Sequence, residues 1–549
     1  MPESKNCAKG KDWLIFLALF VMALICFLPG LNYYGMLDPT DSFFIEAARE
    51  MMQCKHYIIA LANYIEWYEK PVLSFWSMIL FYKIFGISAW AGRLPAALSG
   101  IILVISTYLF TLPKLGQRTA ILASVILCTS PLFVIVGHVA LADEFLSMLF
   151  GIAMFYAGLA LTATGQKINL LGYVFLALAV LCKGPVSIVL ALLTIFLYLV
   201  IVNNFWESAK ENFLCLRPFS GFLIVLLLSI PYFYSAHVST NGVFTQQFFL
   251  RQNLGRMQGT VNHQEALWYY IPVFFGGYFP WSIYLFPSLP WFKKLFLKRL
   301  NLNEKQKFVV FCACWFVVVA SLFMAIPTKL YTYILPFSPA FAVLIASYLD
   351  RAVRSKGINI KDKKASFWLL LPAGLCLIAS IIAFLFLWFM RPMKIGLLTI
   401  VSAGLMSIAI YSARSLFWFL KRKYRHALLS LSLSSILACA ILVPAFFRYF
   451  YEVHQVVFER AITFVQAKNG SLATLFSPVP STSFYLQRQV PTIESMPQLS
   501  KFCQSTPKPH FLLASKNCLK LPELQAAKHI ILSDGHWFLL NIDGFPWQN

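Results

Sequence analysis

WLIFLALFVMALICFLPGL, residues 13–31, carries no charged side chain over a length that suffices to cross a bilayer. Runs of this kind recur as far as Leu428–Phe447, and they decide the class of fold. Of the 549 residues, 59% are hydrophobic and only 12% are charged, about half the charged share of an average soluble domain. The chain therefore reads as a multi-pass α-helical membrane protein. Lys5, Lys9 and Lys11 precede the first run as they would in a signal peptide, but the run is long and Asn32-Tyr33-Tyr34 offers no small-residue cleavage site. It is expected to be a retained first span.

About thirteen spans are expected at this segment length. They fall near 13–34, 93–113, 119–139, 144–164, 169–183, 185–203, 218–235, 267–291, 308–326, 331–349, 366–390, 394–411 and 427–447. The net charge of +23 fits this architecture better than nucleic-acid binding, because Lys and Arg collect in cytoplasmic loops. With the N-terminus inside, Lys114 with Arg118, Lys293 to Arg299, Arg351 to Lys364 and Lys421 to Lys423 all fall inside. That parity holds if residues 71–88 do not span and 38–92 form an outer-face excursion of interfacial helices, the first from Ser42 to Gln53. Two domains follow: a membrane domain, 1–447, and a small C-terminal α/β domain, 448–549, on the outer side. Its short apolar runs Leu472–Phe476, His510–Ala514 and His529–Leu532 read as strands. The cysteines form no CxxC pair, and Cys503 with Cys518 leaves a disulfide open.

The same parity gathers ionisable residues on the outer face: Asp38, Asp41, Glu69, Lys70, Asp143, Lys183, Arg251, Arg256, His263, and Lys329 with Tyr333. Charges at membrane depth are costly and mark function or a partner. Carboxylates can take the proton of a hydroxyl nucleophile. Lys and Arg hold phosphate and stabilise the charge growing on a departing phosphate. Together these residues describe displacement of a lipid phosphate by an acceptor. Simpler readings stand beside it: Asp143 as a helix cap, Lys183 snorkelling to the interface, Glu69 and Lys70 as a surface pair, His263 as a structural histidine. No P-loop or dinucleotide fingerprint is present.

Over about residues 12–350 the chain resembles the lipid-sugar-dependent, GT-C type glycosyltransferases that include the lipid A aminoarabinose transferases and the protein O-mannosyltransferases. The resemblance is carried by Asp38-Pro-Thr-Asp41, Glu46-Ala-Ala-Arg49-Glu50-Met51, Tyr68-Glu69-Lys70-Pro71, Arg93-Leu94-Pro95, Ala142-Asp143, Lys183-Gly184-Pro185, Asn253-Leu254-Gly255-Arg256 and Thr328-Lys329-Leu330 with Tyr333. It implies a catalytic carboxylate in the first outer loop, with Asp41 first, Asp38 second and Asp143 in support. Family members show an acidic pair after the proline; here the pair reads Thr40-Asp41. It further implies that Lys70, Arg256 and Tyr333, with Lys183 and Lys329 nearby, bind the donor phosphate. No cofactor is required, and a divalent metal at Glu69 and His263 is left open.

The implied reaction is inverting transfer of a sugar from undecaprenyl phosphate or a similar polyprenyl phosphate. The acceptor would be lipid A or another glycolipid, or alternatively a protein, at the periplasmic side of a bacterial inner membrane. A lipid-linked sugar flippase and a catalytically inactive lipid-binding homologue are the rival classes.

Overall fold

The computed structural model describes residues 3–163, 165–202, 209–258, 264–299, 301–354, 363–390, 393–520, 524 and 530–543. The chain divides into two compact units. One comprises Met1–Pro29, Tyr68–Ser74 and Pro95–Ala445; the other comprises Gly30–Trp67, Phe75–Leu94 and Phe446–Asn549.

The first unit is helical and membrane-spanning. Among the described residues, eight helices are long and apolar enough to cross a bilayer. A ninth span results if Gln117–Cys128 and Pro131–Gly137, bent by 61°, count as one. Shorter apolar helices at Trp13–Phe27, Leu171–Lys183 and Val186–Val202 fall on three more of the expected spans. The expected span at 267–291 is instead broken into Leu267–Tyr269, Tyr270–Gly277, Trp281–Tyr284 and Leu285–Leu297. The Gly276-Gly277 pair and Pro280 between the pieces weaken or interrupt the hydrogen-bond ladder of a continuous helix. Side chains take over: the Trp281 indole N–H, fully buried, donates to Thr129 at 2.8 Å.

Local chemistry explains where other helices start. Glu304–Ala325 opens on a reciprocal cap, in which Asn303 Oδ1 accepts the Gln306 N–H at 3.0 Å and Gln306 Oε1 accepts the Asn303 N–H at 3.1 Å. The helix Leu73–Phe85 has 13 residues, about 20 Å at 1.5 Å per residue, too short to cross the roughly 30 Å hydrocarbon core.

The second unit holds two sheets. β1 (Ala60–Ala62) and β2 (Ile65–Trp67) form an antiparallel hairpin. Its turn, Asn63-Tyr64, has both residues left-handed, at φ 55° and 63°. Tyr64 is an unfavourable residue there. Its N–H donates to Glu50 at 2.8 Å, and its hydroxyl accepts from Arg49 at 2.9 Å. Glu50 and Arg49 belong to the helix Thr40–Gln53. An interfacial helix would bury one face; this one is buried on nearly every side. Its charges permit that because Arg49 grips both oxygens of Glu46, at 2.6 and 2.7 Å.

The other sheet joins β3 (Ser471–Leu475), β4 (Thr492–Ile493), β5 (His510–Ser515), β6 (Ile530–Ser533) and β7 (Trp537–Asn541) in the order β4-β3-β5-β7-β6. β3 runs parallel to β4 and β5; β7 runs antiparallel to β5 and β6. On β5, Phe511 and Leu513 face the helix Val456–Ala467, while Leu512 and Ala514 face Met496–Ser505. With both faces covered, the strand reads as an unbroken apolar run. Cys503 and Cys518 pack in one of these cores as free thiols.

β5 begins at a buried His510 whose N–H and Nδ1 both meet Asp543, the ring contact at 2.8 Å. Asp543→Ala is expected to cost about 1–3 kcal/mol, because it strands two buried donors. Hydrogen exchange on the purified full chain should then show faster exchange in β5 and β7, with the membrane helices unchanged.

Candidate active site

In the membrane unit, three segments bring cations to one cavity of about 290 Å³. The helix Leu171–Lys183 ends with Lys183 because Gly184 takes φ +99° and Pro185 follows. A Cβ on Gly184 would also meet the Phe248 ring at 2.7 Å, so both backbone angle and space demand glycine. Lys183 Nζ pairs with Asp143 and lies 4.4 Å above the Tyr333 ring. Asp143 stands in the first turn of Ala142–Leu161, whose N-cap is Leu141, and not at the cap itself. Pairing, not capping, is its structural contact.

Arg256 follows a π-helical segment, Gln246–Leu254, a geometry common at functional sites. Its guanidinium donates to the Tyr333 hydroxyl and to Gln252 at 3.0 Å, and lies 3.7 Å from Glu69. Tyr333 comes from the 3-10 segment Tyr331–Phe337. Lys70 comes from the Tyr68–Ser74 connection and lines the same cavity. Burial, with the charges of Arg256 and Lys183, pushes its ammonium down to about 7. Three cations thus face two carboxylates, Asp143 and Glu69.

Beyond the cations the wall turns apolar, with Leu146, Val186, Leu190 and Phe323. Val189 and Leu254 line the cavity and are also 45% and 50% exposed on the outside of the unit. The cavity therefore opens sideways onto the apolar surface. Such a shape takes a phosphate with a hydrocarbon tail.

Lys329, grouped with the phosphate ligands in sequence, is placed differently. It is 3% exposed and donates to the carbonyls of Ile326 at 2.7 Å, Glu265 at 3.2 Å and Pro327 at 3.5 Å. It pins the Glu265 segment and does not line the cavity. His263 lies outside the described residues. Among those, no group of three His, Cys, Asp or Glu side chains is placed to hold a metal. Gln252, outside every quoted motif, lines the cavity beside Asn253. The signal available was position: Gln252 lies one helical turn before Arg256.

The first-loop carboxylates belong to the other unit. Asp41, 1% exposed, accepts from Arg93 through both oxygens, at 2.5 and 3.2 Å, and from the Leu37 N–H at 3.3 Å. Arg93 is fully buried. Its remaining donors reach the carbonyls of Leu31 at 3.0 Å, Tyr34 at 3.1 Å and Gly35 at 2.6 Å, and Tyr34 stacks on it at 4.0 Å. Arg93 was legible only as part of a motif; its role follows from this convergence.

Asp38 differs. Its Oδ1 accepts from the Ser42 hydroxyl at 2.5 Å and the Ser481 N–H at 3.1 Å, while its buried Oδ2 meets no donor among the described residues. Burial pushes its carboxyl above the ordinary range. Thr40 is exposed.

The known proteins most informative for this arrangement are membrane transferases. A family model described as dolichyl-phosphate-mannose-protein mannosyltransferase matches residues 69–234. Undecaprenyl phosphate-alpha-4-amino-4-deoxy-L-arabinose arabinosyl transferase from Wigglesworthia glossinidia brevipalpis is 26% identical over 357 residues, 63% of this chain and 60% of the relative. The protein of the same name from Serratia proteamaculans is 27% identical over 358 residues, 64% of this chain and 62% of the relative. The matched region thus spans about three fifths of these relatives. The crystal structure of ArnT from Cupriavidus metallidurans bound to undecaprenyl phosphate aligns with a TM-score of 0.75 at 18% identity, covering 96% of this chain and 98% of that one. The fold is the multi-pass membrane fold of that ArnT structure. In sequence the chain is similar to the aminoarabinose transferases and, over residues 69–234, to the mannosyltransferase family model.

Arg93→Met is expected to destabilise the second unit by about 3–5 kcal/mol, because it removes the cation that answers the buried charge of Asp41. The double variant Asp41→Leu/Arg93→Met should recover more than half of that loss. Thermal midpoints of the purified proteins in detergent measure both; a single variant as stable as wild type would remove the pair from any structural role.

Proposed function

We propose that this chain transfers a sugar from a polyprenyl-phosphate donor to an acceptor hydroxyl or phosphate at the outer face of a bacterial inner membrane. The observation that carries the reading is the cavity in which Lys70, Lys183, Arg256 and Tyr333 stand at the head of an apolar groove open to the lipid side. Phosphate oxygens would sit among the three cations, with the Tyr333 hydroxyl as a further donor. The same groups stabilise the charge that grows on the phosphate as the anomeric carbon–oxygen bond breaks. The acceptor oxygen forms the new bond from the opposite face, so one displacement inverts the anomeric centre.

A hydroxyl acceptor must lose a proton, whereas an ionised phosphate acceptor need not. For a hydroxyl, Asp38 is the favoured proton acceptor, because one of its oxygens meets no donor among the described residues and its raised pKa suits the task. Asp41 acts through its grip on Arg93, holding the backbone on which Asp38 sits. Asp143 orients Lys183. The residues Glu69 and His263 keep a divalent metal open as a proposal, with no step depending on it. The relatives' names favour an amino-sugar donor, and the sequence resemblance favours a lipid acceptor such as lipid A. The basic segments favour a cytoplasmic N-terminus and a periplasmic C-terminal unit.

Glycolipid mass spectrometry on a host lacking the protein tests this. A defined mass increment should disappear, return with wild type, and fail to return with Asp38→Asn or Arg256→Ala. Full restoration by Asp38→Asn would sink its role as proton acceptor. Transfer by purified protein in detergent, with no second compartment, separates an enzyme from a flippase.

The lowered Lys70 pKa fixes a sign. Lys70 is charged below about pH 7 and neutral above it. Affinity for a polyprenyl phosphodiester should be level below pH 7 and fall by up to about tenfold per unit above it. Lys70→Gln should flatten that profile, as measured by titration between pH 6 and 9.

A further inference from the structure

A second cavity, of about 530 Å³, lies at the far ends of the helices that carry the first. The helix Glu304–Ala325 contributes Leu322 and Phe323 to the phosphate cavity and Lys305 and Gln306 to this one. The step from Gln306 to Leu322 is about 24 Å along a helix axis. The helix Ser338–Arg354 runs the other way, from the Tyr333 segment to Asp350, Arg351 and Arg354 in this second cavity.

The charges here are unequally answered. Asp350 accepts from the Thr119 hydroxyl at 3.0 Å and is gripped by Arg354 at 2.8 and 3.0 Å. That satisfies the one carboxylate of the lining. Lys305 and Arg351 line the same hollow, are exposed, and pair with no carboxylate among the described residues. The Arg351 guanidinium lies 6.0 Å from the Trp291 ring. Trp291 begins the last turns of Leu285–Leu297, which end with Lys293 and Lys294 beside Phe296 and Leu297, the latter 76% exposed. Cations, an interfacial tryptophan and an apolar outer surface therefore meet at one opening. Orientation by loop charge needs basic residues but no concave site to hold an anion.

The geometry points to a binding site for the phosphate-bearing headgroup of an anionic phospholipid, held between Lys305 and Arg351 with its glycerol against Trp291. Arg suits such a phosphate because its planar fork can engage two oxygens, and basic pockets between membrane helices are a known way to hold anionic headgroups. This site lies at the membrane face opposite the sugar-transfer cavity and does not depend on that activity.

Native mass spectrometry of the purified full chain tests it. After equal exposure, wild type should retain phosphatidylglycerol over phosphatidylcholine by roughly tenfold. Lys305→Gln with Arg351→Gln should abolish most of that preference, while Lys421→Gln with Arg422→Gln, exposed cations outside the cavity, should keep it. Equal retention of the two lipids, or equal loss in both double variants, would overturn the proposal. Inorganic phosphate raising the thermal midpoint as much as phosphatidylglycerol would make this a plain anion site. A photoreactive phosphatidylglycerol on the wild-type chain gives a reading independent of how the variants fold. Cross-links within 285–309 or 343–354 support the site, and cross-links elsewhere refute it.

Discussion

A charge in a place with little water has to be answered by another charge, a hydrogen bond or a shifted proton, and that constraint organises both units of this protein. In the membrane unit, Lys183 is answered by Asp143 and by the Tyr333 ring, and Arg256 by Tyr333, Gln252 and Glu69. Lys70 has no comparable partner among the described residues and yields part of its proton affinity. Three cations there meet two carboxylates, Asp143 and Glu69. A phosphate supplies what is missing, which is why the arrangement reads as a receptor for the leaving group as well as for the donor.

The second unit uses the same rule for a different end. Arg93 gathers three carbonyls and Asp41 into one buried knot, which holds the loop leading into the helix Thr40–Gln53. Asp41 is thereby committed, and Asp38, three residues earlier, has an oxygen that meets no donor among the described residues. Two carboxylates that look alike in sequence acquire different duties from their surroundings. The same loop also meets the C-terminal segment, where Gln455 accepts the Asp38 N–H at 3.1 Å and the Tyr485 hydroxyl accepts the Met36 N–H at 3.2 Å. The excursion and the tail therefore fold as one body, a grouping that residue order alone obscures.

Long apolar runs made most membrane helices legible, because a bilayer demands a fixed length of internally hydrogen-bonded backbone. The exception, 267–291, was apolar enough but carried Gly276-Gly277 and Pro280, and those residues outweighed hydropathy. The strands Ser471–Leu475, His510–Ser515 and Ile530–Ser533 were legible for their apolar runs, which for His510–Ser515 two covering helices then explain. Lys329 was misgrouped because its residue type suits phosphate, whereas its placement gives its donors to three carbonyls.

By itself, the sequence determined the membrane as solvent, the helical class and the short list of ionisable residues from which a site is assembled. Those depend on composition and on spacing along the chain. Only the tertiary structure decided which members of that list meet, because Lys70, Asp143, Lys183, Arg256 and Tyr333 come from segments up to 263 residues apart, counting from Lys70 to Tyr333. Pairing energies fall steeply with distance and rise with burial. Which carboxylate is occupied and which lysine is poised are therefore properties of the fold, and no local pattern encodes them.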